Sequence, residues 1–473
     1  MALSPVWQLS DEELNKIHNA TLDILETEGI AFLSEKAINI FKEHDFRIEG
    51  DTVYFTDEQI KKALSSCPSS FNLYARNPEK TIIMGGTEPV CSPIYGPPYI
   101  VDFEDTVRRG TLEDYDTLVK LNHLLQSQNL TGFILCEPSD VNPENVHKYM
   151  LYSAMTLSDQ PFMGSPTKGS QGVEDMMQMA EILFQQDRNY LKEHPFSISL
   201  INSLTPLRYE RHAAEALIEF AKNKQPMLIA ALVTGGATGP ITMAGVLVVQ
   251  NAEILAGIVL SQLVNAGTPV VYGCASGIMD MRSVVVALGS PEFSKIMRAG
   301  VELGHWYGLP CRGGGCLTES CDIDAQAGYE SMGSIMTAMN VGVDFVQHSI
   351  GCVSSYMGAS FNKFILDDEI LMQVKARYEK IDLSDSENGF ALDIIKEVGK
   401  GGEYLTNMHT AMHCRDSFIP ELAYRGGLET WTTGGKRDLK TVIKEKGLKL
   451  LASYKQPPLD KKIEQALTDY IKR

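Results

Sequence analysis

The sequence is poor in positive charge and has no paired-cysteine motif. Its 473 residues include 42 Lys and Arg against 60 Asp and Glu, which gives a net charge of −18. That excess of acidic groups repels nucleic-acid phosphates and anionic lipid, so neither is expected as a partner. The nine cysteines show no CxxC spacing, which predicts reduced thiols in a cytoplasmic protein.

The sequence also lacks the signature of a secretory leader and of a membrane span. Its first residues, MALSPVWQLSDEEL, have neither a basic nor a long apolar stretch. One apolar stretch approaches bilayer length, Ala244–Val264, and it contains Gln250, Asn251, Glu253 and Gln262. A carboxylate near the centre of a bilayer costs about 3 kcal/mol. We therefore predict a helix buried in a large core, and no membrane partner.

Helix-start signals mark the first 89 residues. Ser10–Glu13 and Thr56–Gln59 are capping boxes, in which a hydroxyl and a side chain three residues later satisfy each other's backbone amides. Residues 1–89 are predicted to form an N-terminal helical cap region. Residues 381–473, which end in a charged amphipathic helix, are predicted to be an appended region packed on the central domain.

Eight short apolar runs divide the central part of the chain at the spacing of βα units. They are Val90–Tyr95, Thr131–Cys136, Pro161–Ser165, Phe196–Leu200, Met227–Leu232, Pro269–Cys274, Leu309–Arg312 and Val343–His348. Their lack of strict alternation is typical of strands buried on both faces. The pattern predicts an α/β fold, a (β/α)8 TIM barrel over residues 90–380. An open, doubly wound sheet is the alternative.

In such a barrel the active site lies at the carboxyl ends of the strands. His348 and Arg312 are candidates to bind a substrate carboxylate, although a core histidine and a structural ion pair are the alternative readings. Tyr95 and Tyr99 are candidates for a cation, or for simple aromatic packing. Glu137 and Tyr356 complete the predicted substrate site. Small residues at other strand ends predict an open mouth: Gly96, Ser165, Ser203, Gly235, Ser276 and Gly313.

A metal site is not predicted. His409 and His413 share a helical spacing and Cys414 follows them, but no HExxH motif accompanies them.

Several longer motifs resemble the trimethylamine methyltransferase superfamily. They are GGATGPITMAGVLVVQNAEILAGIVLSQLVNAGTPVVYG (235–273), MDMRS (279–283), LGSPEF (288–293), DAQAGYES (324–331) and FNKFILDDEIL (361–371). The resemblance implies a TIM barrel that moves a methyl group from an amine to the cobalt of a separate corrinoid protein. The family archetype for trimethylamine contains pyrrolysine, which this sequence does not, and no position is assigned as its equivalent.

The resemblance therefore implies a quaternary amine as substrate, with glycine betaine first and proline betaine or carnitine next. The implied cofactor is cobalamin on a partner protein, with none tightly bound to this chain. A homo-oligomer is expected, as is a salt-sensitive contact between acidic residues at the barrel mouth and a basic patch on the carrier. A barrel lyase or aldolase and a non-catalytic betaine-binding or corrinoid-docking protein are the alternatives. An aldolase would need a lysine at a strand end, and none of the predicted strand ends has one.

Overall fold

A curled sheet of seven parallel strands forms the centre of the computed structural model, which describes residues 8–472. The strands are β1 (Val90–Cys91), β2 (Phe162–Met163), β3 (Ser197–Asn202), β4 (Met227–Ala231), β5 (Val270–Cys274), β6 (Cys311–Gly314) and β7 (Phe345–Gln347). Their order in the sheet is β1-β7-β6-β5-β4-β3-β2. The first strand thus pairs with the last, Val90 opposite Phe345, while the others follow in chain order.

Seven of the eight predicted apolar runs overlap one of these strands, and two strands, Ser197–Asn202 and Cys311–Gly314, extend two residues beyond their runs. The longest register joins β4 to β5, from Met227 opposite Val270 to Ala231 opposite Cys274, and every residue in both strands is buried. Burial on both faces explains why the runs do not alternate.

The predicted strand Thr131–Cys136 was wrong. Thr131 makes a single parallel bridge to Phe162, and the chain then bends. A Cβ built on Gly132 would lie 2.6 Å from the Leu135 side chain, whereas residues three apart in a strand are roughly 10 Å apart. The segment still hydrogen-bonds on both sides, because the Asn129 amide donates to Cys91 and the Thr131 amide donates to Pro161.

Eight principal helices alternate with the strands and the bent segment. They are Leu112–Leu124, Val146–Leu157, Ser170–Phe184, Arg211–Lys222, Met243–Val264, Pro291–Trp306, Ala325–Val341 and Phe361–Tyr378, with a short helix Arg188–Glu193 after the third. Among the described residues, Met243–Val264 is the one helix that is long and apolar enough to span a membrane. Of its most apolar 18-residue stretch, 72% is buried inside the protein. The prediction of a buried core helix at this position is confirmed.

The N-terminal segment is less purely helical than predicted. Both capping boxes are present, and they begin helices Asp11–Thr27 and Asp57–Ser66, with Glu35–Glu43 between them. Short strands were not predicted here: Ile30–Phe32, Ile48–Glu49, Thr52–Val53, Phe71–Leu73 and Ile82–Met84, with a 3-10 turn at Pro78–Lys80. The strand Ile30–Phe32 is anchored from outside the segment, because it pairs with Arg208–Tyr209.

Two small sheets stand on the carboxyl ends of the parallel strands. One joins Thr234–Gly235, Gly277–Asp280 and Val285–Val286, and the other joins Cys352–Val353, Gly358–Ser360, Tyr99–Val101 and Val107–Arg109. They extend the wall around the strand ends and carry several of the predicted site residues.

The C-terminal region has two parts that pack differently. Helices Leu439–Ser453 and Lys461–Ile471 lie against the central domain, where Gly447 contacts Phe103 and the Tyr470 hydroxyl donates to Asp175. Helices Leu392–Val398, Met408–His413 and Leu428–Thr433 have no buried residue.

Candidate functional site at the strand ends

Arg312 lies inside the curled sheet and is 2% exposed. Along β6 the side chains alternate, so Gly313 faces outward, where a Cβ would lie 2.7 Å from Val343 and 2.9 Å from Met297. The Arg312 guanidinium donates from Nε to Gln347 Oε1 at 3.0 Å and from Nη1 to the Cys274 carbonyl at 2.5 Å. It is thus fixed between the ends of β5 and β7, with further N–H groups left to donate.

His348 follows β7 with a left-handed backbone, φ +57°, and is 6% exposed. This turn allows His348 and its neighbour Gln347 to face the same side, although adjacent strand residues normally face opposite sides. The Tyr95 amide donates to His348 Nδ1 at 3.2 Å. We therefore assign the ring proton to Nε2, which becomes a hydrogen-bond donor.

Burial, reinforced by the positive charge of Arg312, lowers the pKa of His348 well below its ordinary value of 6.5. The imidazole is therefore neutral at neutral pH. A neutral donor beside a guanidinium favours an anionic ligand over an uncharged ligand, because the guanidinium already supplies one positive charge.

Tyr356 completes a group that we call the Arg–His cluster: Arg312, His348 and Tyr356. Its ring centroid lies 4.4 Å from that of His348. Burial raises the pKa of Tyr356 to about 12, while the charge of Arg312 acts in the opposite direction. The hydroxyl oxygens of Tyr356 and Ser355 are buried without a hydrogen-bond partner. Buried polar groups are normally hydrogen-bonded, so these two hydroxyls are available to bind a ligand beside Arg312 and His348.

The backbone beneath this cluster is strained. Ser354, Ser355 and Tyr356 all have left-handed φ angles, 51°, 50° and 72°. Residues other than glycine rarely adopt this region, and each costs of order 1–3 kcal/mol, so such runs collect at ligand-binding sites.

The remaining predicted substrate residues differ in their surroundings. Tyr95 is half-buried beside Gly96, which is exposed, has φ +87° and has open space where a side chain would point. The ring of Tyr99 is covered by the Arg109 guanidinium at 4.7 Å, so one of its faces already binds a cation. Glu137 is exposed in the bent segment. Their roles in binding a substrate remain predictions.

The small residues predicted to admit a corrin ring are mostly engaged in packing. Ser165 is buried, with its Oγ 3.3 Å from Thr167 Oγ1, and the Ser276 hydroxyl donates to Ala231. A Cβ on Gly235 would lie 2.5 Å from Ile278. The Ser203 hydroxyl donates to the Glu253 carboxylate. Gly96 has open space beside it, and a role of all six residues in the approach of a corrin remains a prediction.

Gln347 and Ser355 were not among the predicted site residues. A polar glutamine inside an otherwise apolar run was a usable signal for Gln347, and the strand register places it on the same side of the sheet as Arg312. Nothing in the sequence marked Ser355, because its position depends on the left-handed turn.

The histidines outside the sheet have ordinary partners. The rings of His409 and His413 lie 4.5 Å apart, and they contact the Glu387 carbonyl and the Asp416 carboxylate, respectively. Within residues 8–472 one group has ligand atoms close enough for a metal ion, His305, Cys311 and Asp344. There the Asp344 carboxylate already accepts from the Cys311 amide and contacts His305, and the Cys311 thiol donates to Val301.

Comparison with known proteins extends over nearly the whole chain. A glycine betaine methyltransferase of Desulfitobacterium hafniense is 42% identical over 465 residues, which cover 98% of this chain and 96% of that one. A proline betaine:corrinoid methyltransferase of Eubacterium limosum is 29% identical, covering 98% and 96%. The solved structure of a monomethylamine methyltransferase from Methanosarcina barkeri is 12% identical with a TM-score of 0.50, covering 95% and 89%, and supports the α/β fold. Residues 2–473 match the trimethylamine methyltransferase (MTTB) family, and the chain belongs to it.

Proposed function

We propose that this protein transfers one methyl group from a betaine, glycine betaine first, to the cobalt of a separate corrinoid protein. The observation that carries the proposal is the Arg–His cluster, in which a buried guanidinium, a neutral imidazole donor and an unpartnered tyrosine hydroxyl meet at the strand ends. The 42% identity to a glycine betaine methyltransferase supports the same substrate.

The carboxylate of the betaine is placed at the Arg–His cluster. Arg312 uses two of its N–H groups to hold its position and has others with which to bind carboxylate oxygens. His348 Nε2–H and the Tyr356 hydroxyl add neutral donors, so the anion is bound without a second positive charge. Such a set distinguishes a betaine from a quaternary amine without a carboxylate.

The ammonium end is placed toward Tyr95 and Gly96. The charge of Arg312 repels a cation, so the trimethylammonium group points away from it. A quaternary nitrogen has no N–H group and is recognised through aromatic faces. Tyr95 supplies such a face, and the open space beside the exposed Gly96 leaves the methyl groups accessible from outside.

The reaction requires positioning more than acid–base catalysis. Reduced corrinoid cobalt supplies the nucleophile, the methyl–nitrogen bond breaks, and its electron pair remains on nitrogen as a neutral tertiary amine. Because the leaving amine needs no proton, a neutral His348 that only donates a hydrogen bond is sufficient. The contribution of this chain is to bind both ends of the betaine and to aim one methyl group outward.

A Schiff-base aldolase is the weaker alternative. The buried lysine near these loops, Lys363, is 0% exposed and its ammonium donates to Asp367 and Ser331. A Schiff-base lysine must present a free amine to a carbonyl substrate, and Lys363 is committed to this ion pair.

The proposal is tested with purified protein, reduced cobalamin and single substrates. Glycine betaine should give methylcobalamin absorbance, whereas choline, which has the same trimethylammonium group without a carboxylate, should give little. Equal rates with both would overturn the assignment of Arg312 and His348. Binding of glycine betaine without any methyl transfer, to free cobalamin or to a carrier, would favour the non-catalytic alternative.

The corrinoid is proposed to reside on the carrier and to visit this chain. The protein as purified should then show no stoichiometric corrin spectrum in the visible range. A tightly bound corrin in the isolated protein would contradict this part of the proposal.

The nine cysteines are all free thiols, which fits the predicted cytoplasmic location.

Self-association is proposed through residues 381–438. Twelve large hydrophobic residues are exposed in this stretch, among them Ile381 (84%), Leu405 (78%) and Leu428 (77%). Helices as short as Leu392–Val398 and Met408–His413 are not stable without packing, and none of their residues is buried. A stable interface needs about 800 Å² per partner, and exposed apolar side chains of this kind are typical of surfaces that associate. Light scattering should report a homo-oligomer that Leu405→Ser together with Leu428→Ser weakens; a wild-type monomer would contradict it.

A closed (β/α)8 barrel is also proposed, in which residues 129–134 take the place of the eighth strand. The bent segment hydrogen-bonds to β1 through Asn129 and to β2 through Thr131, so it occupies the gap between the two edge strands of the sheet. An experimental structure with β1 and β2 separated by solvent would contradict it.

A further inference from the structure

The hairpin that follows β5 has an apolar, exposed and strained tip. It consists of Gly277–Asp280 and Val285–Val286, and its turn includes Met281 and Val284. Val284 has φ +59° and is 68% exposed, while Met281 is 62% exposed. Turns of this kind normally use glycine or asparagine at a left-handed position, because a β-branched residue there is a genuine outlier. The tip thus combines an unfavourable backbone with apolar surface in water.

Hydrogen bonds between Asp280 and Arg282 close the hairpin turn. The Arg282 side chain donates to both carboxylate oxygens of Asp280, at 3.1 and 2.7 Å, and the Arg282 amide donates to Asp280 Oδ1 at 2.8 Å. These bonds hold the pKa of Asp280 well below its ordinary value. A turn that is already hydrogen-bonded has less entropy to lose when a partner binds it.

Ile241 extends the apolar surface of the tip toward the neighbouring loop. A Cβ built on Gly236 would lie 2.8 Å from Ile241 Cδ1 and 3.1 Å from Met281 Sδ, so these two side chains meet over that glycine. Ile241 is 53% exposed and Val285 is 42% exposed. We call Ile241, Met281, Val284 and Val285 the rim patch.

The rim patch stands beside the Arg–His cluster. The hairpin starts at Gly277, shortly after Cys274, the last residue of β5, whose carbonyl holds the Arg312 guanidinium. Gly277 is tied to the end of β4 as well, because its amide donates to Val233. The hairpin therefore projects from the same end of the sheet as the proposed binding site.

We propose that the rim patch is the contact by which this protein docks its corrinoid carrier protein, an inference that rests on the proposed function. Cobalt must approach the methyl group to bonding distance, so the carrier has to cover the strand ends from which the hairpin projects. The patch has four residues, against roughly 20–30 a side in a standard stable interface. It therefore suits a partner that leaves after each turnover, with a small apolar centre in a polar rim. A permanent interface with a second copy of this chain requires a larger surface, which we assign to residues 381–438.

The test compares two methyl acceptors, free cob(I)alamin and a corrinoid carrier protein reduced to cobalt(I). The variant combines Val284→Asn with Met281→Ser, because asparagine tolerates the left-handed turn and both changes remove apolar surface. Ile83→Ser is the matched control, since Ile83 is 56% exposed on a strand that precedes β1, at the other end of the sheet. The rim variant should raise the KM for the carrier about tenfold and leave the rate with free cob(I)alamin unchanged.

Stability supplies an independent readout. Val284→Asn relieves the strained turn, so its melting temperature should equal or exceed that of the wild type, which separates loss of docking from loss of folding. A wild-type KM for the carrier in the rim variant would overturn the inference. A fall in the rate with free cob(I)alamin would assign the hairpin to substrate binding, and a changed molar mass would assign it to self-association; both outcomes overturn it.

Failure of the proposed function has a different signature. Wild-type protein that methylates neither free cob(I)alamin nor the carrier from any betaine would overturn that function and the docking role with it. Wild-type transfer to both acceptors, with no effect of the rim variant, overturns the docking role alone.

Discussion

Two buried polar groups lie at the strand ends of this protein, and they differ in how completely they are satisfied. Around β3 the Glu253 carboxylate accepts from the Ser203 hydroxyl and from the Leu207 amide at 2.7 Å. Around β6 and β7 the Tyr356 and Ser355 hydroxyls are buried with no partner. Both regions place polar atoms in a low-dielectric interior, where an unsatisfied group is costly.

The difference separates a structural role from a binding role. Glu253 ties the loop after β3 to the long core helix, and its hydrogen bonds are complete without a ligand. The Arg–His cluster leaves donors unused and stands on a left-handed backbone, which fits the proposed binding role. Substitutions should therefore affect stability in the first region and activity in the second.

The largest effect is expected at Arg312. Arg312→Ala removes the charged donor to the carboxylate, and kcat/KM for glycine betaine with free cob(I)alamin should fall about 100-fold, since a charged hydrogen bond contributes about 3 kcal/mol at most. Arg312→Lys keeps the positive charge but loses the planar, two-pronged guanidinium. Its kcat/KM should therefore lie between those of the wild type and of Arg312→Ala. If Arg312→Ala unfolds the protein while Arg312→Lys retains full activity, Arg312 has a structural role. The contrast between the Glu253 region and the Arg–His cluster would then be wrong.

Glu253 should show the opposite pattern. Glu253→Ala leaves the Leu207 amide and the Ser203 hydroxyl without acceptors, and the free energy of unfolding should fall by about 2 kcal/mol in a denaturant titration. The KM for glycine betaine should not change. Glu253→Gln retains an acceptor oxygen and serves as the control, with a smaller loss. A raised KM in a stable Glu253→Gln protein would place this region in the substrate site.

His348 should make the stability of the protein depend on pH. Its pKa is lowered in the folded protein, so the unfolded chain binds a proton below pH 6.5 that the folded protein does not. Stability from this group is complete above pH 6.5 and is lost as pH falls toward the folded pKa, by up to about 1.4 kcal/mol per pH unit. His348→Gln should flatten that part of the acid denaturation profile.

The same group predicts the pH dependence of activity. Because His348 acts as a neutral donor, kcat/KM for glycine betaine should show no inflection near pH 6.5 in the wild type. An inflection there that disappears in His348→Gln would mean that the imidazole titrates in the folded enzyme. That result would contradict the assignment of the proton to Nε2 of a permanently neutral ring.

Tyr356 should give the smallest effect. Tyr356→Phe removes a hydroxyl that has no partner, so the melting temperature should stay the same or rise. Loss of one neutral hydrogen bond to the carboxylate should raise the KM for glycine betaine about threefold. An unchanged KM together with a lower melting temperature would show that the hydroxyl serves the fold and not the ligand.

Much of the fold was predictable because it depends on local patterns. The capping boxes at Ser10 and Thr56 begin helices where they were expected. Seven apolar runs became strands because burial on both faces leaves a sequence signature. Thr131–Cys136 has a similar composition but bends, since Leu135 packs over Gly132, and that contact is invisible in a list of residue types.

The site was predictable in part, for the same reason. Arg312 and His348 were identified because they end apolar runs, and strand ends form the site in this class of fold. Which small residues face open space could not be predicted, because Gly96 and Gly313 look alike in sequence and face an opening and a helix, respectively. Exposure of the rim patch was hidden as well, since Val284 reads as an ordinary strand residue.

The sequence by itself determined the family, through the resemblance of its longer motifs. It also determined the alternation of strands and helices and the residue types at the strand ends, because these follow from capping and spacing along the chain. The tertiary structure alone decided that His348 is neutral, that the Tyr356 hydroxyl lacks a partner and that Val284 is strained in water. Each of these properties depends on which groups from distant parts of the chain surround an atom. Burial, charge and backbone angle at one residue are set by those neighbours and not by the residue itself.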